Sequence, residues 1–346
     1  MGGRALARHP RHRRTALVTA VAGRCRRLVA AVSRAVQSKR GRWATAVASA
    51  GFVIGLGFLV ARHFATTSWP LSRGEPGVLV AAGLLLLLAQ ALKAYGWARL
   101  FPAAERPKPL ALAAGNGGAA LAGAVLPGRF DDAMRVAVVR RYPGCPAGVR
   151  ALCLSLFMLG LIDSVALAPL ALVVVFLPGT GVGLRVGLAF VAAAGISAAA
   201  VILALPRLAA NARVSSFRLG RWLRPRTTSW RVASEAWALV SACWVVRGLA
   251  FFLLLGTLGV GFSLPLALLF LCTGAAAASL PIGPAGAATQ VGAGTAALMA
   301  SGVGASPALS VAVAVGALGV LSGGAVLFSA VVWRIGLALV PARAAA

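Results

Sequence analysis

The chain has 346 residues, of which 60% are hydrophobic and 12% charged, and its mean hydropathy is +0.89. Soluble domains carry about 25% charged residues, so the composition excludes a water-soluble globular enzyme and predicts a polytopic membrane protein. The 34 basic and 6 acidic residues give a formal charge of +28, which makes every acidic side chain a rare feature.

Apolar runs long enough for membrane helices follow one another along most of the chain. A spanning helix needs about 20 mostly apolar residues. The runs are continuous and do not alternate with polar residues, which predicts helices rather than the strands of a barrel. We predict an all-α membrane bundle of seven to nine spans, running from residue 44 to residue 333. Seven runs are firm predictions: Ala44–Ala61, Val78–Trp97, Ala151–Leu177, Val186–Leu205, Ala236–Val260, Pro265–Leu280 and Ala308–Trp333. Two more runs are rich in Gly and Ala and are doubtful: Leu110–Leu126 and Ala285–Val303.

The ends of the chain predict its orientation. Residues 1–43 are dense in arginine and contain no Asp or Glu. Within them, Thr15–Val36 is either a basic amphipathic helix lying on anionic headgroups or part of a disordered tail. The positive-inside rule places this tail, and the arginine-rich loop Pro206–Glu235, in the cytoplasm. Residues 334–346 form a short C-terminal tail, whose side depends on the path of Ala285–Val303.

The first doubtful segment contains Ala113-Ala114-Gly115-Asn116-Gly117-Gly118-Ala119-Ala120. Each glycine weakens a helix by about 1 kcal/mol relative to alanine, and Asn116 supplies a polar group at the predicted break. A segment that dips into the membrane and returns keeps Arg129, Arg135 and Arg140 on the cytoplasmic side, whereas a crossing puts them outside. The dip is favoured, and re-entrant backbone is tolerated where protein or a water-filled cavity covers it.

A similar interruption occurs late in the chain, from Leu280 to Gln290, where Pro281, Pro284 and Gly286 stand. Two Gly/Pro-broken apolar segments, one in each half, point to a transporter site at the interface of two repeats. The alternative is that the small residues permit close packing between helices.

Three charged residues lie within the predicted spans. A charge at the centre of a membrane helix costs about 2.5–3.5 kcal/mol, so it needs a partner or a wet cavity. We predict that Asp163 and Arg247 pair, either as a gate or headgroup-binding pair or as a lock between helices. Lys93, nearer the end of its span, is predicted to extend to the membrane surface.

Asp131 and Asp132 stand side by side and are followed by Arg135. On a helix, Asp132 and Arg135 share one face, and Asp131 is expected to point elsewhere. Arg129 and Arg135 are candidates to hold a phosphate bidentately, with Asp132 orienting one of them or accepting from a headgroup amine. The alternative is a solvated amphipathic helix at the membrane interface.

The stretch Leu126-Pro127-x-Arg129-x-x-Asp132-x-x-Arg135, followed by Arg140-Arg141, resembles the first signature of the lysylphosphatidylglycerol synthase transmembrane-region family of flippase-like proteins. Leu280-Pro281-x-x-Pro284-x-Gly286, followed by Thr289-Gln290, resembles the second signature. The chain departs from the family in three places. Asp131 and Ala285 stand where Gly is common, and Leu159-Gly160 stand where a Glu-Arg pair often precedes the membrane aspartate.

The resemblance implies a protein that translocates or binds lipids, including aminoacylated phospholipids and lipid-linked sugars. Bifunctional members carry a cytosolic aminoacyl-transferase domain, for which this sequence leaves no room after its last span. We therefore expect no enzyme activity, no cofactor and no metal. A membrane-embedded lipid-modifying enzyme or glycosyltransferase, and a non-catalytic scaffold, are the alternatives.

The expected partners are membrane lipids with anionic or phosphate-bearing headgroups and a separate enzyme, not nucleic acid. The expected location is a bacterial plasma membrane, with the N-terminus in the cytoplasm. The residues predicted to bind the headgroup or gate its passage are Asn116, Pro127, Arg129, Asp132, Arg135, Asp163, Arg247, Pro281, Pro284, Gly286 and Gln290.

Overall fold

The computed structural model describes residue 62 and residues 69–125, 130–176, 181–211, 229–279 and 286–339. Within these ranges the regular structure is entirely helical, so the predicted all-α fold is confirmed. The basic tail 1–43 and the predicted span Ala44–Ala61 lie outside the described residues, as does most of the arginine-rich loop that follows residue 211.

Five of the described helices are long and apolar enough to cross a membrane. They are α1 (Pro76–Arg99), α4 (Val149–Val175), α5 (Val182–Ala210), α6 (Trp230–Thr257) and α9 (Ala305–Leu339). Four shorter α-helices lie between them in the chain: α2 (Pro109–Val125), α3 (Phe130–Arg141), α7 (Leu264–Ser279) and α8 (Gly286–Ala300). Two single turns, the α-helical Pro70–Arg73 before α1 and the 3-10 turn Ala103–Glu105 after it, complete the described helical structure.

Helices α1 and α6 pack against each other along most of their length and run antiparallel. At one end Arg99 Nη1 lies 3.6 Å from Glu235 Oε2, and at the other the backbone N–H of Glu75 donates to Thr257 Oγ1 at 2.8 Å. These two ends of the bundle are named the Arg99 end and the Glu75 end. Helix α4 starts at the Arg99 end, where Trp97 Nε1 of α1 donates to Ser155 Oγ at 2.9 Å.

The perimeter of the bundle is apolar, as expected of helices that face lipid. Phe190 and Ile196 of α5 are 72% and 64% exposed, and Phe328 of α9 is 69% exposed. A helix that is hydrophobic on every face belongs in a protein core or a membrane. Because these side chains are largely uncovered by the described residues, they fit the membrane setting.

Helices α2 and α3 form an antiparallel hairpin, the first hairpin, which enters the bundle from the Arg99 end. Gly115 of α2 faces Val139 of α3, and Gly123 faces Asp131. The chain thus goes in along α2 and returns along α3, which agrees with the predicted dip. At 17 and 12 residues, the two helices are about 26 Å and 18 Å long, shorter than the hydrocarbon core of about 30 Å.

The predicted break at the glycines of α2 is wrong, because the helix continues through them to Val125. Gly117 lies directly against Gly323 of α9, where a Cβ on Gly117 would overlap the carbonyl oxygen of Gly323. Close packing with α9 and α3 therefore outweighs the low helix propensity of glycine.

Helices α7 and α8 form the second hairpin, which enters from the opposite, Glu75 end, because α7 follows the end of α6. Gly274 of α7 lies near the backbone of Gln290, and Gly294 of α8 lies against the ring of Phe270, so the two helices are antiparallel. The predicted span Pro265–Leu280 is in the structure a helix of 16 residues, about 24 Å long, that pairs with its neighbour. The break itself, 280–285, lies outside the described residues.

Candidate functional site

A cavity of about 880 Å³ lies where the two hairpins meet. Every long helix except α5 and all four shorter helices contribute to its wall. The α1 residues that line it run from Leu86 to Lys93, around the centre of that helix, so the cavity lies near half the height of the bundle. Its volume is in the range of about 300–1,000 Å³ that is usual for ligand-binding sites.

The described wall of this cavity is electrically balanced. It holds three of the six acidic residues of the chain but only three of its 34 basic residues. In a protein with a formal charge of +28, such a balance requires that acidic side chains be concentrated here. The charged lining residues are Lys93, Arg135 and Arg247, with Asp131, Asp132 and Asp163.

Asp163 is held by two partners from other helices. Lys93 Nζ lies 2.8 Å from Asp163 Oδ2, and Trp244 Nε1 donates to Asp163 Oδ1 at 3.0 Å. The two charged side chains are 14% and 20% exposed, so the pair is largely shielded from the surroundings. Lys93 does not extend to the membrane surface, and Asp163 does not pair with Arg247; both predictions are wrong. The pair ties α1 to α4 and places an ion pair of no net charge in the cavity wall.

Arg247 lies over the ring of Trp244, with the guanidinium carbon 5.2 Å from the ring centroid. Such cation–π contacts are worth about 0.5–2 kcal/mol. Arg247 forms no hydrogen bond or ion pair with any residue that the structure describes. Its positive charge therefore faces the cavity without a carboxylate to compensate it.

On α3, one arginine serves two carboxylates. Arg135 Nη1 lies 2.6 Å from Asp132 Oδ1, which confirms that the two residues share a face. Asp131 does not point elsewhere as predicted, because its Oδ2 lies 3.8 Å from Arg135 Nη2. Arg135 lines the cavity inside the bundle, away from Arg140 and Arg141 at the Arg99 end. Among the described residues of α3 that line the cavity, one guanidinium lies between two carboxylates, which gives them a net negative charge.

Asn116 contributes an amide that has no partner. It is 4% exposed, and neither its Oδ1 nor its Nδ2 has a hydrogen bond among the described residues. Nearly all buried polar groups in proteins are hydrogen-bonded, and an unsatisfied one costs about 1–3 kcal/mol. Asn116 belongs to the cavity wall, so this unsatisfied amide lies beside the space that a ligand would occupy.

The remaining predicted residues belong to the hairpin tips. Gln290 is exposed and lines the cavity near the start of α8, which begins at Gly286. Four others, from the segments 126–129 and 280–285, lie outside the described residues: Pro127, Arg129, Pro281 and Pro284.

The sequence did not predict that Lys93 pairs with Asp163 in the cavity wall, nor that Trp244 donates a hydrogen bond to Asp163. One signal was present for Lys93, because Gln90 stands one helical turn before it in an otherwise apolar run. Polar residues three apart share a face of a helix, and both side chains line the cavity.

The cavity also opens sideways, along one stripe of α4. Cys153, Phe157 and Gly160 all line it and are nevertheless exposed at the perimeter, with Phe157 57% exposed. Helix α3 packs far more extensively on α2 than on α4. Among the described residues, the face between α3 and α4 is therefore an open side of the cavity wall.

A multi-pass helical bundle with charged side chains at half height, approached by hairpins from opposite ends, defines an integral membrane protein with a polar interior. The model of the family described as Lysylphosphatidylglycerol synthase TM region matches residues 43–326, so the chain belongs to this family. The resemblance seen in the two signatures is thereby confirmed, and the chain is a membrane protein of a family related to lipid handling. No curated protein sequence and no solved structure shows a significant match to the chain.

Proposed function

We propose that the protein binds the headgroups of membrane lipids in the central cavity and carries them between the two leaflets. The observation that supports this most directly is the charged cavity at half height that opens sideways to the perimeter. A headgroup bound inside would meet charged partners, while its acyl chains pass between α3 and α4 and remain in lipid.

The energetic reason lies in the cost of charges within the bilayer. A charged side chain near the centre of a membrane helix costs about 2.5–3.5 kcal/mol of insertion free energy. The six charged side chains that line this cavity therefore oppose insertion of the protein into the membrane. They are retained, on this proposal, because a headgroup that crosses the bilayer needs polar partners at the same depth. A purely structural role would favour full pairing, yet Arg247 and the Asn116 amide have no hydrogen-bond partner among the described residues.

We place the Arg99 end in the cytoplasm of a bacterial cell, with the protein in the plasma membrane and its N-terminus on that side. Basic residues are concentrated at this end, which the positive-inside rule assigns to the cytoplasm. The described basic residues there include Arg99, Arg106, Lys108, Arg140, Arg141, Arg150, Arg207 and Arg231, whereas those at the Glu75 end include Arg73 and Arg185.

The test is lipid movement in proteoliposomes made with the purified chain. Phospholipids labelled on an acyl chain are followed by chemical quenching of the outer leaflet, for the wild type and for Asp132→Ala and Arg135→Ala. We expect both cavity variants to slow movement by about tenfold or more, since each removes a charge from the wall and leaves its partner unpaired.

The matched control is Arg99→Ala, which removes an arginine that is half exposed and outside the cavity. It is expected to move lipid at the wild-type rate. Equal loss in all three variants would indicate general damage, and no movement by folded wild-type protein would rule out translocation. Retained movement in Asp132→Ala and Arg135→Ala would place the lipid path elsewhere.

A further inference from the structure

We propose that the preferred ligand of the cavity is a zwitterionic phospholipid headgroup, with one phosphodiester and one primary ammonium. This inference rests on the proposed function, whose site it makes specific. It assigns the two charges of the ligand to opposite walls of the cavity, the phosphodiester to Arg247 and the ammonium to Asp131 and Asp132.

The first support is the charge balance of the described wall. A chain with 34 basic residues has ample arginine to build a cationic site, yet among the described residues only three basic side chains line the cavity, against three acidic ones. In a site of low dielectric constant an uncompensated charge is strongly unfavourable. A balanced wall therefore suits a headgroup whose own charges balance.

The second support is the local excess of positive charge on α6. Lys93 and Asp163 neutralise each other at 2.8 Å, and the other carboxylate oxygen is occupied by Trp244. Arg247 adds a guanidinium that has no carboxylate partner among the described residues. A guanidinium presents parallel N–H donors that match two oxygens of a phosphodiester. This wall consequently has the charge and the donors for a single anionic group.

The third support is the opposite excess on α3. Asp131 and Asp132 share Arg135, so one negative charge remains, and Asp132 is 47% exposed. A carboxylate offers about four lone-pair sites, of which the contacts with Arg135 use a part. A primary ammonium supplies three N–H donors to the remaining sites, whereas a quaternary ammonium supplies none.

Asn116 fits a ligand of this kind. Asn116 lines the cavity and is 4% exposed, and neither its amide donor nor its acceptor has a partner among the described residues. An amide of this sort can donate to a phosphate oxygen and accept from an ammonium.

The experiment compares lipids that differ in headgroup charge, in phosphatidylcholine proteoliposomes containing the full chain. The tracers are acyl-labelled phosphatidylethanolamine, phosphatidylglycerol and lysylphosphatidylglycerol. In parallel, binding of the same three lipids to detergent-purified protein is measured by native mass spectrometry. For the wild type we expect phosphatidylethanolamine to bind and move about tenfold better than either of the others, because each of these leaves one unit charge uncompensated.

Two substitutions are expected to change the preference in opposite directions. Asp132→Asn makes the wall net positive and shifts the preference about tenfold toward phosphatidylglycerol; Arg247→Gln makes it net negative and shifts it toward lysylphosphatidylglycerol. Arg247→Lys preserves the charge and should keep the wild-type ratio. Because ratios between lipids are compared within one preparation, a lower yield of folded protein does not imitate the effect.

The outcomes separate the two proposals. Selective binding of phosphatidylethanolamine without movement would overturn translocation but support the zwitterionic site. Movement of all three lipids at similar rates, or ratios that neither substitution changes, would overturn the zwitterionic site and leave translocation standing. Neither binding nor movement of any lipid would overturn both.

Discussion

The two hairpins approach the same cavity from opposite ends, but they differ in what they bring to it. The first hairpin supplies Asn116, Asp131, Asp132 and Arg135, whereas the described residues of the second hairpin include no charged side chain. The charged side chains that the hairpins supply therefore come from the Arg99 end, and the described part of the second hairpin adds only uncharged surface to the cavity wall.

The hairpins also differ in how they are held. In the first, Gly117 meets Gly323 of α9 backbone to backbone, which allows little adjustment. In the second, the ring of Phe270 covers Gly294 and makes an edge-to-face contact with Phe251 of α6, with centroids 5.4 Å apart. A side-chain contact tolerates displacement better than a backbone contact does, so the charged hairpin is the more rigidly positioned of the two.

The largest effect is expected from disturbing the backbone contact of the first hairpin. Gly117→Val places two methyl groups against Gly323 and should lower the free energy of unfolding by about 1–3 kcal/mol, the usual cost of overpacking. The measurement is the thermal midpoint in detergent. The control in the second hairpin is Gly292→Val, where an added Cβ meets nothing within 4 Å. Equal destabilisation by both substitutions would show that the loss comes from valine in the helix and not from the contact between Gly117 and Gly323.

The next effect concerns the two neighbouring carboxylates of the first hairpin. Asp132→Asn weakens a contact of 2.6 Å with Arg135, and Asp131→Asn a contact of 3.8 Å. Lipid movement in proteoliposomes should fall by about tenfold in the first variant and about threefold in the second, since short charge-assisted hydrogen bonds are the stronger ones. The reverse order would mean that Asp131 has the larger part in the site.

A smaller change in the free energy of unfolding, opposite in sign to that of Gly117→Val, is expected from replacing the amide of Asn116. Asn116→Leu replaces a buried polar group that lacks a hydrogen bond, so it should raise the free energy of unfolding by about 1 kcal/mol while it slows lipid movement. Gln290→Leu, the matching change in the second hairpin, should leave stability unchanged because Gln290 is exposed. Loss of stability in Asn116→Leu would reveal a partner for the amide within the protein.

The smallest change in the free energy of unfolding is expected from breaking the ion pair between Arg99 and Glu235, which lies outside both hairpins. Arg99 and Glu235 are 50% and 39% exposed and 3.6 Å apart, so Arg99→Ala should cost about 0–1 kcal/mol. Thermal unfolding at low and at high salt measures this. A larger loss, or one that salt does not reduce, would show that the pair is shielded in the folded protein.

Much of the fold could be predicted from the sequence, because apolar runs of spanning length fix helices with little ambiguity. The predicted span Val78–Trp97, for example, corresponds to Pro76–Arg99. The pairing of Asp132 with Arg135 was also predictable, since it depends only on the spacing of residues along one helix.

The features that the sequence did not predict depend on contacts between helices. The partner of Asp163 is 70 residues away in the chain, and two cations, Lys93 and Arg247, were available in the spans. Sequence alone does not choose between them, because the choice is made by how α1 packs beside α4. The glycines of α2 misled for the same reason: their propensity predicts a break, and the contact of Gly117 with Gly323 prevents it.

The charge balance of the cavity has a consequence for energetics across the membrane. Moving one elementary charge across a potential of 100 mV involves about 2.3 kcal/mol. The described cavity wall carries equal numbers of positive and negative side chains, so exposing it to one leaflet or the other displaces no net charge of its own. A headgroup that is itself neutral would then cross at a rate independent of voltage, and the membrane potential would neither drive nor oppose its passage.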